Sequence, residues 1–190
     1  MTSSEIILAS KSPRRADILQ KHGVDFSVYI PDVCEKNDGK NLRDLPRCNA
    51  VLKAAATADI FPQKTVLAAD TVIFFENKLL GKPADNSDAF RMLKKLSGRK
   101  HKVISGCAVI CREKNIDYSF SCVSEVVFKE ISDDIIHDYM QKVNVLDKAG
   151  AYAIQEYGEM IIESFSGSLE NIIGLPGDEV LAVLKKFSLI

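Results

Sequence analysis

The chain reads as an α/β protein built on a mixed, twisted sheet with flanking helices. Three observations predict that class. Short apolar runs are interleaved with segments of helical spacing along the whole sequence. Two strand patterns, 102–111 and 118–129, stand next to each other in the middle of the chain with no helix between them. The 190 residues are 46 % hydrophobic and 27 % charged, which is ordinary globular composition and enough chain for one sizeable core. A single domain spanning residues 1–190 is expected, because no repeat, low-complexity tract or linker breaks the pattern.

The elements follow in order. Glu5–Ala9 is a short apolar strand. Ser12-Pro13 supplies a capping hydroxyl and a proline at the first helical position, so a helix is expected from Pro13 to about His22. Residues 25–30 read as a second strand, and the polar stretch 31–45, with Asn37-Asp38-Gly39, as a long loop. Val51, Ala54, Ala55 and Ala58 give residues 49–59 helical spacing. Thr65–Phe75 is an almost wholly apolar strand, and residues 77–86, with Gly81 and Pro83, read as a turn or connection. Ala89, Met92, Leu93 and Leu96 share one face of a helix over residues 86–96, which Ser97-Gly98 ends. The strand over 102–111 is apolar on both faces and therefore central. The next alternates, with Tyr118, Phe120, Cys122, Val126 and Phe128 on one face, and residues 112–117 join the two as a hairpin. Ser132-Asp133-Asp134 starts a helix with acids in its first turn, and Ile136, Tyr139, Met140 and Val143 carry its apolar face. Residues 160–165 are a further strand, and residues 176–187 a last helix with Val180, Val183, Leu184 and Phe187 in register.

Composition narrows the function classes. Lys+Arg is 25 against 26 Asp+Glu, a formal net charge of -1, so the chain is not built to wrap nucleic acid by bulk electrostatics. Tryptophan is absent and aromatics are 7 %, so stacking platforms for single strands are poorly supplied. Five cysteines without a CxxC pair argue for a reducing compartment, the cytoplasm. Three scattered histidines argue against a histidine-built zinc site. The start MTSSEIILAS lacks the basic and long apolar regions of a signal peptide, and no stretch approaches a membrane span.

Four groups of residues could carry chemistry. Ser10-Lys11-Ser12-Pro13-Arg14-Arg15 lies between a strand and a helix, where free N–H groups and the dipole favour an anion. Two arginines there run against the dipole's preference for acids, which fits a phosphate pocket; solvated arginines on a capped surface helix are the alternative. Asp70 shares a strand face with Val66, Ala68, Val72 and Phe74, and a carboxylate in an apolar row is costly unless paired or metal-bound. Metal ligand or general base is one reading, and a strand-end aspartate bonded to neighbouring backbone the other. Gly81-Lys82-Pro83 would hold Lys82 as a placed cation, or is an ordinary turn. In the segment 147–156, DKAGAYAIQE, small residues would let a ligand lie against the backbone and Gln155 could orient a water or read a base edge; a tight glycine-containing loop fits equally. The segment 166–176 is comparable. Glu35 in a polar loop and Lys53 opposite the alanine stripe are weaker candidates. Taken together, Arg14, Arg15, Lys53 and Lys82 beside Asp70 and Glu35 describe a metal–triphosphate pocket better than a plain cation patch.

The segments LASKSPRR (8–15), AADTVI (68–73), LGKP (80–83), LSGRKHKVISG (96–106), KAGAYAIQ (148–155) and NIIGLP (171–176) occur in an order and spacing that resembles the Maf family across essentially the whole chain. That resemblance implies an elongated α/β fold with a central cleft, similar to the inosine triphosphatases, and a nucleoside triphosphate pyrophosphatase that cleaves between the α- and β-phosphates. It implies a divalent cation, Mg²⁺ or Mn²⁺, and, as in many members, a homodimer. Ser-Pro-Arg-Arg (12–15) with Ala-Tyr-Ala-Ile-Gln (151–155) resembles the type acting on dTTP and UTP; 7-methyl-GTP or a noncanonical purine triphosphate is the rival substrate, and a nucleotide-sensing regulator of cell division the rival function. By the same likeness Ser10, Arg14 and Arg15 belong to the nucleotide pocket, Lys53 and Lys82 contact phosphates, Glu35 and Asp70 hold metal or activate water, Asp70 is the proton acceptor, and Gln155 positions substrate. The chain departs from the family pattern in Asp32-Val33-Cys34-Glu35, where an acidic pair is more usual, in Ser105 for a frequent threonine, and in Glu170 before Asn171.

Overall fold

The computed structural model describes residues 5–36 and 41–190. The expected Asn37-Asp38-Gly39 loop therefore lies outside the described residues. The strands are β1 (Ile6–Ala9), β2 (Phe26–Tyr29), β3 (Thr65–Phe75), β4 (Lys78–Leu80), β5 (Lys100–Cys111), β6 (Ile116–Phe128) and β7 (Ile162–Ser166). The helices are α1 (Pro13–Lys21), α2 (Leu45–Ile60), α3 (Asn86–Leu96), α4 (Asp133–Lys142), α5 (Leu169–Ile173) and α6 (Gly177–Lys186), with single 3₁₀ turns at Val145–Asp147, Ala149–Ala151 and Gly158–Met160. The strands form a mixed seven-stranded sheet in the order β2-β1-β3-β5-β6-β7, with β4 added to β3. β1 pairs in parallel with β2 and with β3, Ile7 facing Ser27 on one side and Val66 on the other, whereas β4 on β3 and β7 on β6 are antiparallel. The parallel β1-α1-β2 unit accounts for the helix between two short apolar runs.

The chain divides into two compact units through which β3, β5 and β6 run. The first comprises residues 1–71, 105–122 and 174–190. Its core sets Ala50, Ala54 and Ala58 of α2 on Ile7, Ala9, Val66, Ala68, Ala108 and Ile110. Alanine at every fourth position lets the helix lie flush on the sheet. Gly106 of β5 permits the same approach at the start of α2, because a Cβ there would collide with the backbone of Pro46 and Arg47. The second unit comprises residues 72–104 and 123–173. Its core gathers Ile73, Phe75, Leu93, Leu96, Val126, Phe128, Ile136, Tyr139 and Ile161.

Three sequence expectations need correction. The stretch 77–86 is not only a connection, since it contains β4, whose Leu79 and Leu80 pair with Phe74 and Ile73. Helix α2 starts at Leu45, four residues before the alanine pattern shows it, with Pro46 in its first turn. Ser12 stands at the N-cap of α1, but its hydroxyl makes no cap bond; Ser10 Oγ accepts the Ser12 N–H instead at 3.1 Å. At Ser132, where sequence places a helix start, the side chain caps the helix by accepting from the Ile135 N–H.

Candidate active site

In the first unit, the end of β1 and the start of α1 are organised by a serine and an arginine. Ser10 is buried, and its hydroxyl accepts from Arg15 Nη1 at 3.1 Å as well as from the Ser12 N–H. Arg15 Nε donates to the Gly174 carbonyl at 2.9 Å and Nη2 to Thr71 Oγ1 at 3.3 Å. Thr71 Oγ1 reaches the Gly174 carbonyl at 3.1 Å and shares a 2.8 Å hydrogen bond with the Ser105 hydroxyl. Burial pulls the Arg15 guanidinium below its usual value, and the charge of Asp70 offsets part of that effect. Arg15 thus fixes Ser10, Thr71 and Gly174 with three of its five N–H groups, while Arg14 is half-buried in the same turn. The turn that sequence presents as an anion pocket is internally braced by one of its two arginines.

Next to Thr71 on β3, Asp70 follows five buried strand residues, and its own side chain is 14 % exposed. Lys53 of α2, 7 % exposed, places its ammonium 3.5 Å from Asp70 Oδ1 and 2.9 Å from Glu35 Oε1. One buried cation therefore stands between two carboxylates that come from different segments of the chain. Burial pushes the Glu35 carboxyl up, but the hydrogen bond and the charge of Lys53 outweigh it and hold Glu35 below the ordinary carboxylate range. The alanine stripe of α2 explains the placement: it seats the helix close enough to the sheet for Lys53 to reach the polar position of β3. Asn49, one turn earlier on α2, donates from Nδ2 to Asp70 Oδ2 at 3.1 Å.

The remaining two candidates, Lys82 and Gln155, belong to the second unit, and both are exposed. The loop carrying Lys82 is tied to the segment 148–155 by a bond from the Gly150 N–H to the Gly81 carbonyl, 2.9 Å. Gly150 has φ 67°, a conformation that favours glycine, and a Cβ there would press within 2.5 Å of Ile73 Cδ1. Around Gln155 the chain is pinned on both sides. Tyr139 accepts from the Ala153 N–H at 3.0 Å and donates to the Ala153 carbonyl at 3.3 Å. Lys148, 5 % exposed, bonds the Asn144 carbonyl at 2.7 Å and pairs with Asp147 at 2.8 Å and Glu156 at 3.3 Å. The segment is thus the glycine-containing loop that the sequence allowed, held rigid.

The structure therefore brings Glu35, Lys53 and Asp70 into direct contact, and separately Ser10 with Arg15. Sequence reading missed Asn49 and Thr71. Asn49 had a signal of the kind that marked Asp70, a polar residue one helical turn from Lys53 and beside the alanine stripe. Thr71 had none, because a threonine in a strand is unremarkable. Among the described residues no group of three or more His, Cys, Asp or Glu is placed to hold a metal ion. Nor, among them, is any helix long and apolar enough to cross a membrane. The cysteines stand as thiols rather than disulfides in the described structure.

The family described as Maf-like protein matches residues 5–187. The dTTP/UTP pyrophosphatase of Akkermansia muciniphila is 43 % identical over 180 residues, covering 94 % of this chain and 94 % of that protein. The proteins of the same name from Syntrophus aciditrophicus and Clostridioides difficile are 42 % and 41 % identical over 97 % and 96 % of this chain, and over 91 % and 94 % of their own lengths. Among solved structures, a HAM1 protein from Coxiella burnetii is similar with a TM-score of 0.53 at 16 % identity, covering 95 % of this chain and 98 % of that one. A nucleoside-triphosphatase / dITP/XTP pyrophosphatase from Mycobacterium abscessus has a TM-score of 0.50 at 15 % identity, covering 97 % and 95 %. These two likenesses concern the fold, and they agree with the mixed α/β class expected from sequence.

Proposed function

The chain belongs to the Maf-like protein family, and on that premise we propose that it is a nucleoside triphosphate pyrophosphatase that hydrolyses dTTP and UTP to the monophosphate and pyrophosphate. The relatives' names support the reaction and the substrates. The observation in the fold that carries it is the Glu35–Lys53–Asp70 group, with a carboxylate in a mostly apolar strand and a buried ammonium shared with a second carboxylate.

In this reading Asp70 accepts the proton of the attacking water. The water oxygen bonds to the α-phosphorus, the bond from that phosphorus to the bridging oxygen breaks, and pyrophosphate leaves with the electron pair. A triphosphate brings about four negative charges, so cations must balance it in the ground state and during transfer. Lys53 and Arg14 supply positive charge from the first unit. Lys82 is assigned a phosphate contact, Ser10 and Arg15 the nucleotide pocket, and Gln155 the positioning of substrate. Arg15 also holds the loop, with three of its five N–H groups on protein acceptors.

The two carboxylates also fit a hard divalent cation. Both converge on one point of positive charge, and Mg²⁺ takes one or two protein carboxylates and completes its shell with substrate phosphates and water. Glu35 and Asp70 would hold it. Mg²⁺ or Mn²⁺ bound there would neutralise charge on the phosphoryl oxygens and lower the pKa of water. A cytoplasmic site of action and a single functional domain over residues 1–190 complete the proposal.

The test is pyrophosphate release from dTTP, UTP, CTP, 7-methyl-GTP, ITP and the common purine triphosphates, with Mg²⁺, Mn²⁺ or EDTA, for the wild type and Asp70→Asn. Turnover of dTTP and UTP that EDTA abolishes, and that falls by roughly 10²-fold or more in Asp70→Asn, is expected. Activity confined to a modified purine overturns the substrate. Binding without turnover points to a sensor, and an Asp70→Asn enzyme near wild-type rate removes Asp70 as the base.

A further inference from the structure

Asn49 is 3 % exposed and uses every hydrogen-bonding group that its side chain has. Its Oδ1 accepts the Lys36 N–H at 2.9 Å, and its Nδ2 donates to the Lys36 carbonyl at 2.9 Å and to Asp70 Oδ2 at 3.1 Å. The amide can face only one way. Flipped, it would set an NH₂ against an N–H and its oxygen against both a carbonyl and a carboxylate. One buried side chain thus joins three parts of the site: helix α2, the residue that follows Glu35, and the far oxygen of Asp70. The near oxygen faces Lys53.

The two tethers on Asp70 differ in kind. Lys53 ends in a charged ammonium on a four-carbon stem, and an arriving triphosphate competes for it. Asn49 has a short side chain, is fully bonded inside the protein, and carries no charge for a phosphate to attract. Its hold on Asp70 and on the Glu35 segment survives substrate binding.

We infer that Asn49 is a positioning residue for the hydrolysis, fixing the Asp70 carboxylate in register with the segment that bears Glu35. The inference rests on the reading of Asp70 as the water-activating base. Asn49 acts through Asp70, so its effect must depend on that carboxylate.

The experiment is a double-mutant cycle on the full chain, comparing wild type, Asn49→Leu, Asp70→Asn and the double variant, with dTTP, saturating Mg²⁺ and single-turnover detection for the slow enzymes. Leucine is close to asparagine in size and removes all three bonds. Asn49→Ala, which adds no bulk, carries the same comparison if the leucine variant does not fold. Circular dichroism melts give the folded fraction at the assay temperature, and rates are expressed per folded enzyme. In the Asp70 background kcat should fall about tenfold or more, a factor equivalent to ~1.4 kcal/mol, with KM for dTTP within about threefold. In the Asp70→Asn background the same substitution should change the rate by less than about twofold. An equal loss in both backgrounds would make Asn49 a general structural residue and overturn the inference, as would a kcat within about twofold of wild type, or failure of both variants to fold. An Asp70→Asn enzyme of wild-type rate overturns the earlier assignment of the base instead.

Discussion

Acidification should destabilise the fold through His101, and the size of the effect follows from its surroundings. The imidazole is 3 % exposed, with Nε2 2.7 Å from the Tyr152 hydroxyl and the ring edge-on to Phe128 and Tyr152 at 5.2 and 5.4 Å between centroids. Nδ1 is buried with no hydrogen-bond partner, so the doubly protonated ring would hold its charge against apolar surroundings. Burial accordingly holds the pKa of His101 down at about 4, against 6.5 for an ordinary histidine. Between those values the unfolded chain takes up a proton and the folded chain does not. The stabilisation is complete above about pH 6.5 and is lost as pH falls through about 4. At ~1.36 kcal/mol per pH unit the full loss is about 3 kcal/mol, of which about 2 kcal/mol falls between pH 7 and pH 5. For a chain of this length that corresponds to a drop of about 4–8 °C in Tm. His101→Gln keeps an amide for Tyr152 and removes the titration. Melts of both proteins at pH 7, 6 and 5 should show the wild type losing that much more than the variant, since the carboxylates contribute equally to each. Parallel pH dependence in the two proteins would refute the reasoning.

Two further substitutions test the packing that places the site. Gly106→Ala drives a methyl group into the backbone of Pro46 and Arg47, which cannot yield as a side chain would. A loss of about 3 kcal/mol or more is expected, read as a Tm lowered by roughly 6–12 °C, with kcat reduced because α2 carries both Asn49 and Lys53; a Tm within 2 °C of wild type, about the shift of 1 kcal/mol, would contradict it. Lys148→Met leaves the Asn144 carbonyl and two half-exposed carboxylates without their shared cation. Because water can solvate those carboxylates, the expected loss is about 2 kcal/mol, and KM for dTTP should rise more than kcat falls if the pinned segment presents Gln155 to substrate.

The class of the fold was legible because periodicity is local. Thr65–Phe75 and Asn86–Leu96 have the same bounds in sequence and structure, since an unbroken apolar run and a helical stripe between clear breakers leave no competing reading. β4 was not legible, because three residues after a tight turn carry too little pattern, and their strand character comes from pairing with β3. The first turn of α2 was hidden because Leu45-Pro46-Arg47 shows no amphipathic spacing of its own. It is settled by the approach to Gly106.

For the site, sequence by itself determined the residue types and the cost that makes them conspicuous: a carboxylate in an apolar strand, two arginines at a helix start, and a lysine beside an alanine stripe. The resemblance gave those residues roles. Only the tertiary structure decided their partners. Lys53 bridges Glu35 and Asp70, Arg15 braces Ser10, Thr71 and Gly174, and Asn49 binds Asp70 to the Glu35 segment. The physical reason is range. Helix and strand signals are written between near neighbours, whereas a hydrogen bond between residues 49 and 70, or 15 and 174, depends on how a helix seats on a sheet, and no single segment encodes that.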